Sequence, residues 1–148
     1  MSKVFTDPDG NFILTLPLDW EQYDDDEENT FAFFNAKSKS WTGNLRISPL
    51  YWTIQNDVEQ NKSAKFIQDE LIENAGAVKL KLGNYDCAHY KKNLEQDGDQ
   101  LIIYYWLIGN NNTLFICSLT INKDQEQKME NKMVLETVQN IIKSIKIN

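Results

Sequence analysis

Two periods run through the chain. Over most of it apolar and polar residues alternate at every second position, the mark of strands with one covered face. In two segments the apolar residues recur every third or fourth position, the mark of amphipathic helices. In the first strand-like run Phe12, Leu14 and Leu16 alternate with Ile13 and Thr15, and Pro17 ends it. "KVFT" precedes that run across "DPDG", where Pro8 fixes φ and Gly10 accepts a positive φ, so the opening reads as a hairpin. "PLDW" reads as a tight turn and the acidic residues after it as a loop. "TFAFFNA" and "NLRISPLYW" form a second strand pair joined by "KSKSWTG". Leu45 and Ile47 face one way in it, Asn44, Arg46 and Ser48 the other.

The first helical segment is "NKSAKFIQDELIENAG", with Ala64, Ile67, Leu71 and Ala75 on one stripe. Asn61 or Ser63 caps its start, and Gly76 takes the first position beyond its end. A meander follows. "AVKLKL" turns at Gly83-Asn84 into "YDCAHYKKNL", Asp97-Gly98 turns that into "LIIYYWLI", and "GNNN" leads into "TLFICSLTI". "LIIYYWLI" is apolar on both faces, so it is a central strand covered on both sides. Lys79 and Lys81 mark "AVKLKL" as a partly exposed strand whose lysines discourage edge pairing. The last helix runs from about Asp124 to Ile145, with Met129, Met133, Val134, Val138, Ile141, Ile142 and Ile145 on its apolar face. The predicted order is β-β-β-β-α-β-β-β-β-α, an α+β fold with a central antiparallel sheet flanked by helices. At 148 residues the chain reads as one domain, residues 1–148, large enough to bury a core without disulfides or metal.

Charge changes this picture in one place. The net charge is −7, yet Met1–Thr30 alone carries nine acids against Lys3, and the rest of the chain is close to neutral. Asp24, Asp25, Asp26, Glu27 and Glu28 are consecutive. No basic footprint exists, which argues against nucleic-acid binding. "MSKVFTDPDG" lacks the apolar core of a leader, and no stretch reaches the roughly 18–20 apolar residues of a membrane span. The expectation is a cytoplasmic protein with no membrane contact and with Cys87 and Cys117 reduced and buried. With Asn110–Asn112 as the turn, Cys87 lies opposite Ile108 and Cys117 opposite Tyr105. That puts the cysteines two strands apart on different faces, beyond the ~4.4–6.8 Å Cα separation of a bridge.

Candidate chemistry is sparse. His89, the single histidine, shares a strand face with Cys87, but no third group orients it, so both are read as packing residues and not as a thiol nucleophile and its base. The acidic run lacks the alternation, glycine and terminal glutamate of an EF-hand, so no metal and no cofactor is expected. It reads either as a solvated loop kept extended by repulsion or as a docking surface for a partner with a basic surface. Trp106 belongs to the central strand, whereas Trp20, Trp41 and Trp52 fall at strand ends or turns, where a ring either anchors a partner or lids the core. Arg46 is the only arginine, and an internal salt bridge is its expected role. The candidate partner-binding residues are therefore Trp20, Tyr23, Asp24, Asp25, Asp26, Glu27, Glu28, Trp41 and Trp52. No catalytic residue is assigned.

"GNFILTLPLDW", Gly10–Trp20, resembles the "G-x-F-x-L-x-x-P-x-x-W" opening of PsbP-like domains, which share their fold with the Mog proteins and with bacterial families of unknown function. The order of elements is similar over nearly the full chain, and the likeness is greatest to one such bacterial family. The resemblance implies an α/β/α sandwich and a role as an accessory or binding module. It transfers no functional residue, since PsbP assists a photosystem and Mog proteins bind a small GTPase. The resulting expectation is a non-catalytic module that binds a protein partner. The alternatives are an immunity protein against a basic toxin, or a small-molecule carrier or enzyme with a pocket between sheet and helix.

Overall fold

The computed structural model describes residues 1–53 and 61–148. Strands β1 (Ser2–Thr6), β2 (Phe12–Pro17) and β10 (Lys146–Ile147) form a small sheet in the order β1-β2-β10. Seven more strands form a large sheet: β3 (Trp20–Tyr23), β4 (Phe31–Asn35), β5 (Asn44–Tyr51), β6 (Val78–Leu82), β7 (Tyr85–Gln96), β8 (Asp99–Asn110) and β9 (Thr113–Asn122). Their order is β3-β4-β5-β9-β8-β7-β6, and the pairings are antiparallel. Helix α1 (Lys62–Glu73) and helix α2 (Met129–Lys143) complete the fold.

Strand makes up 49% of the described residues, so the fold is mostly antiparallel sheet with two helices. A sheet flanked by helices overstates the helical share. One face of the large sheet, here the inner face, is covered jointly by α2 and the small sheet. Phe12, Leu14 and Leu16 of β2 meet Phe33, Leu45, Ile47 and Phe115, and Val138 and Ile142 of α2 pack into the same cluster as Trp106 and Ile108. Phe12 and Phe115 stack edge to face with centroids 5.0 Å apart. On the outer face, Ile67 of α1 packs with Ala88, Tyr90, Leu107 and Leu114. The central strand β8 is thus covered on both sides, as its doubly apolar sequence predicts.

The turns explain where prediction succeeds and where it slips. In the first hairpin Gly10 takes φ +75°, and the buried Asp7 carboxylate accepts hydrogen bonds from the amides of Asn11 (3.0 Å) and Asp9 (3.3 Å). Between β8 and β9 the turn contains two residues, Asn111 and Asn112, with Asn111 at φ +53°, and not the three residues Asn110–Asn112. Cys117 therefore pairs with Trp106 instead of Tyr105, while Cys87 pairs with Ile108 as predicted. A one-residue change of register swaps faces. The two cysteines thus share the inner face, a strand apart, and both are free and buried.

The helices also differ in detail from the periodicity. Asn61 caps α1, accepting from the amide of Ala64 at 2.9 Å. Ser63 and Ile67 are its buried residues, and Ala64 is exposed. Ser63 is buried because it sits on Gly109 of β8, where an added Cβ would lie 2.5 Å from the Ser63 Cβ. The helix ends at Glu73, capped by Asn74, so Gly76 (φ +80°) falls one position later than predicted. Helix α2 starts at Met129, not Asp124, because Lys123–Gln125 forms a separate 3-10 turn. Its buried face runs through Asn131, Val134, Val138, Ile141 and Ile142, and Met129 and Met133 lie off that face, 68% and 63% exposed. Strands β3 and β10 are additional to the predicted order; β3 forms where "PLDW" reads only as a turn.

Candidate functional site

The β3–β4 hairpin places charged groups at both of its ends. At one end, the loop from Asp24 to Thr30 joins the two strands. It is folded, not extended: the Asp24 carboxylate accepts from the amide of Asp26 at 2.8 Å, and that of Asp25 accepts from the amide of Glu27 at 3.1 Å. Asp26 and Asn29 adopt positive φ, +63° and +56°. Short-range turns thus overcome the repulsion among the carboxylates.

Asp25 then ties the loop to the sheet. Its Oδ2 accepts a 2.6 Å bond from the Arg46 Nε on the outer face of β5, and its side chain is only 7% exposed. This is the internal salt bridge expected of Arg46. Burial pushes the Asp25 carboxyl upward, but the Arg46 hydrogen bond and charge and the Glu27 amide outweigh it and hold it below the usual aspartate value. The hydroxyls of Thr30 and Ser48, 2.9 Å apart, make a second attachment. Tyr23 lies beside the pair, edge to face with Phe34, with its hydroxyl buried and unpartnered. Burial pushes that hydroxyl above the ordinary tyrosine value, and Arg46 offsets part of the rise. Asp24, Asp26, Glu27 and Glu28 remain exposed.

The tryptophans do not join this group. Trp20 is 3% exposed and belongs to the inner core, so its ring is almost wholly covered. Trp41 is 38% exposed but lies in the β4–β5 loop, at the other end of the hairpin. Trp52 is half-buried against the α1 cluster, with Phe66 at 6.1 Å. Of the nine predicted residues, Tyr23 and the five acids come together and the tryptophans do not.

At the hairpin's other end lies a feature that hydrophobic patterning does not find. A cleft of about 510 Å³ opens between the β4–β5 loop and α2, with Asp19, Trp20, Lys37, Lys39, Glu130 and Val134 among its walls. The expected space between sheet and helix is filled, since Trp106, Val138 and Ile142 are fully buried there. The hollow is at the rim instead. "KSKS" was the available signal, because two lysines in a turn have no packing duty.

His89 and Cys87 do not form a reactive pair. His89 stacks on Trp106 with centroids 4.8 Å apart, and its Nδ1 lies 2.8 Å from the Tyr105 carbonyl. Burial lowers the His89 pKa and raises the Cys87 thiol to about 12, so both groups are neutral at pH 7. Among the described residues, no group of three or more His, Cys, Asp and Glu is placed to hold a metal, and no helix is long and apolar enough to cross a membrane.

Comparison with known proteins fixes the family. A family model described as a domain of unknown function, DUF3805, matches residues 1–147. The chain belongs to this family. No curated protein matches it. A crystal structure from Bacteroides thetaiotaomicron VPI-5482 is 29% identical with a TM-score of 0.76 over 99% of this chain. This DUF3805 chain spans 48% of that protein's length, about half. LpqN, described as involved in cell envelope biogenesis of Mycobacterium tuberculosis, is 12% identical with a TM-score of 0.57, covering 100% of this chain and 91% of its own, and so shares the fold alone. The resemblance to PsbP reappears in cyanobacterial PsbP (CyanoP) from Synechocystis sp. PCC 6803, at 11% identity and a TM-score of 0.47 over 99% of this chain and 92% of that one, a likeness too distant to carry further argument.

Proposed function

We propose that this domain is a non-catalytic accessory or binding module, acting in the cytoplasm, that docks a protein partner with a basic surface through its β3–β4 loop. One observation carries the reading. Asp25 is consumed by the ion pair with Arg46, and that anchor holds Asp24, Asp26, Glu27 and Glu28 outward on a folded loop. An ordered set of like charges steers a complementary surface and loses little entropy on contact. The reading also fits membership of a family without an assigned activity.

The test is affinity capture from lysate at low salt, comparing the native chain with a variant carrying Asp24→Asn, Asp26→Asn, Glu27→Gln and Glu28→Gln. Asp25 is kept so that the loop stays attached. A basic protein held by the native chain, released by salt and lost by the variant is the expected result. Equal capture by both chains would remove the loop from the function.

A further inference from the structure

The two edges of the large sheet differ. Strand β6, at one edge, carries Lys79 and Lys81, charges of the kind that keep an edge from pairing. Strand β3, at the other, has neither lysine nor proline, and among the described residues no strand lies on its far side. The direction of its backbone groups follows from the ladder. The Ala36 amide donates to the Asp19 carbonyl at 2.9 Å, which makes Asp19 and Ala36 a hydrogen-bonded pair. Such pairs alternate along an antiparallel ladder. Glu21 and Tyr23 therefore bond to Phe34 and Ala32, and Gln22 turns its N–H and C=O away from β4. Gln22 is exposed, so these groups stand open to another strand.

A second observation says which strand. The hairpin that owns this edge has charges of opposite sign at its two ends. One end carries the exposed Asp24, Asp26, Glu27 and Glu28. The other carries the exposed Lys37 and Lys39. Lys128 lines a hollow with Ser40 at that end, and Asp19 and Glu130 offset part of the positive charge. Among the described residues, Lys37, Lys39 and the four acids form no ion pair within the chain. An edge that is negative at one end and positive at the other is complementary to itself when reversed. Antiparallel pairing about a two-fold axis makes that reversal.

We propose, resting on the docking reading above, that the partner of the acidic loop is a second copy of this chain, joined edge to edge through β3. The register centres on Gln22, which exchanges backbone hydrogen bonds with Gln22 of the second copy. Glu21 then lies opposite Tyr23. Centring on Glu21 instead would set like charges directly opposite, and Trp20 is too deeply covered to be the centre. Each acidic loop comes beside the other copy's Lys37 and Lys39, so the charge contact is made twice. The strand is short, so the backbone bonds are few and the charges supply much of the attraction. The Bacteroides thetaiotaomicron relative has room for a second unit of this size, since this chain spans 48% of it.

The experiment is sedimentation velocity of the full chain over a range of concentration at low and at high salt. The native chain is expected to dimerise at low salt and to weaken by about tenfold or more in dissociation constant at high salt. Gln22→Pro removes the outward N–H without touching the bonds to β4, and is expected to be monomeric with an unchanged unfolding midpoint. Two charge reversals form the second arm. Lys37→Glu/Lys39→Glu alone and Asp24→Lys/Asp26→Lys/Glu27→Lys/Glu28→Lys alone are each expected to be monomeric, and their mixture to form a heterodimer. A native chain that stays monomeric at every concentration would overturn the proposal. So would dimerisation of Gln22→Pro equal to the native chain's, or a mixture of the reversed variants that associates no better than either alone. A monomeric chain whose acidic loop still captures a basic protein loses the second copy and keeps the docking reading. Equal dimerisation of the native and loop-reversed chains removes the loop from this contact and the proposal with it.

Discussion

The two faces of the large sheet are built to different standards. The inner face is covered by a helix and a second sheet, and its central residues Trp106, Phe115, Cys117 and Leu119 are fully buried. Among the described residues the outer face is covered by α1 over its β7–β9 part. Beyond α1 it carries Arg46, Ser48 and Tyr23, and the acidic loop fastens onto those residues. A face already sealed by the chain's own apolar groups has nothing left to offer a partner. Among the described residues the available surfaces are the part of the outer face beyond α1, where the acidic loop lies, and the rim between the β4–β5 loop and α2, where the cleft lies.

Three substitutions test this contrast. Phe115→Ala opens a void in the sealed face and is expected to cost about 3–5 kcal/mol in urea unfolding followed by tryptophan fluorescence. A loss near 1 kcal/mol would mean that the inner face is loosely packed. Gly109→Ala acts on the outer face by driving a methyl group into Ser63, the seat of α1. Its expected cost is about 1–3 kcal/mol, with faster amide exchange confined to α1. Exchange that quickens equally in α2 would erase the distinction between the faces.

Asp25→Asn is the mildest, at about 1 kcal/mol near neutral pH, because Arg46 stays partly exposed. The sign with pH follows from the lowered carboxyl of Asp25. Its stabilising contribution is complete above the unfolded aspartate value and is lost as pH falls through the lower folded value. The gap between native and variant stability is therefore expected to close on acidification, and a gap that widened would contradict the ion pair.

Much of the sheet is legible in the sequence because its turns announce themselves. Asp-Pro-Asp-Gly, Gly-Asn, Asp-Gly and the asparagine run each bracket a strand whose alternation states which side is covered. Arg46 can be placed opposite Leu45 and Ile47 from spacing alone. Strand β3 is not legible, since "WEQY" is too short to show a period and gains its strand character from pairing with β4. The anchoring of Asp25 is hidden for another reason. Its partner is 21 residues away, and only the register of three strands brings them together. The cleft is hidden too, because it depends on where two loops and a helix end relative to one another. Met129 and Met133 show the limit of periodicity: they are spaced four apart as a stripe would be, but the buried face of α2 runs through Asn131, Val134, Val138, Ile141 and Ile142 and leaves both methionines off it.

Strand β2 has one partner nearly adjacent in sequence and another at residues 146 and 147. The Asn148 amide donates to the Asn11 carbonyl at 2.9 Å, and its side chain to the Gly10 carbonyl at 2.7 Å. The first hairpin can form within its own short loop, whereas its second edge must wait for a segment separated from it by almost the whole chain. Closing so wide a loop carries a larger entropic penalty, and pairings this remote slow folding. The small sheet is thus a latch across the fold, holding the strand that follows α2 against the second strand of the chain.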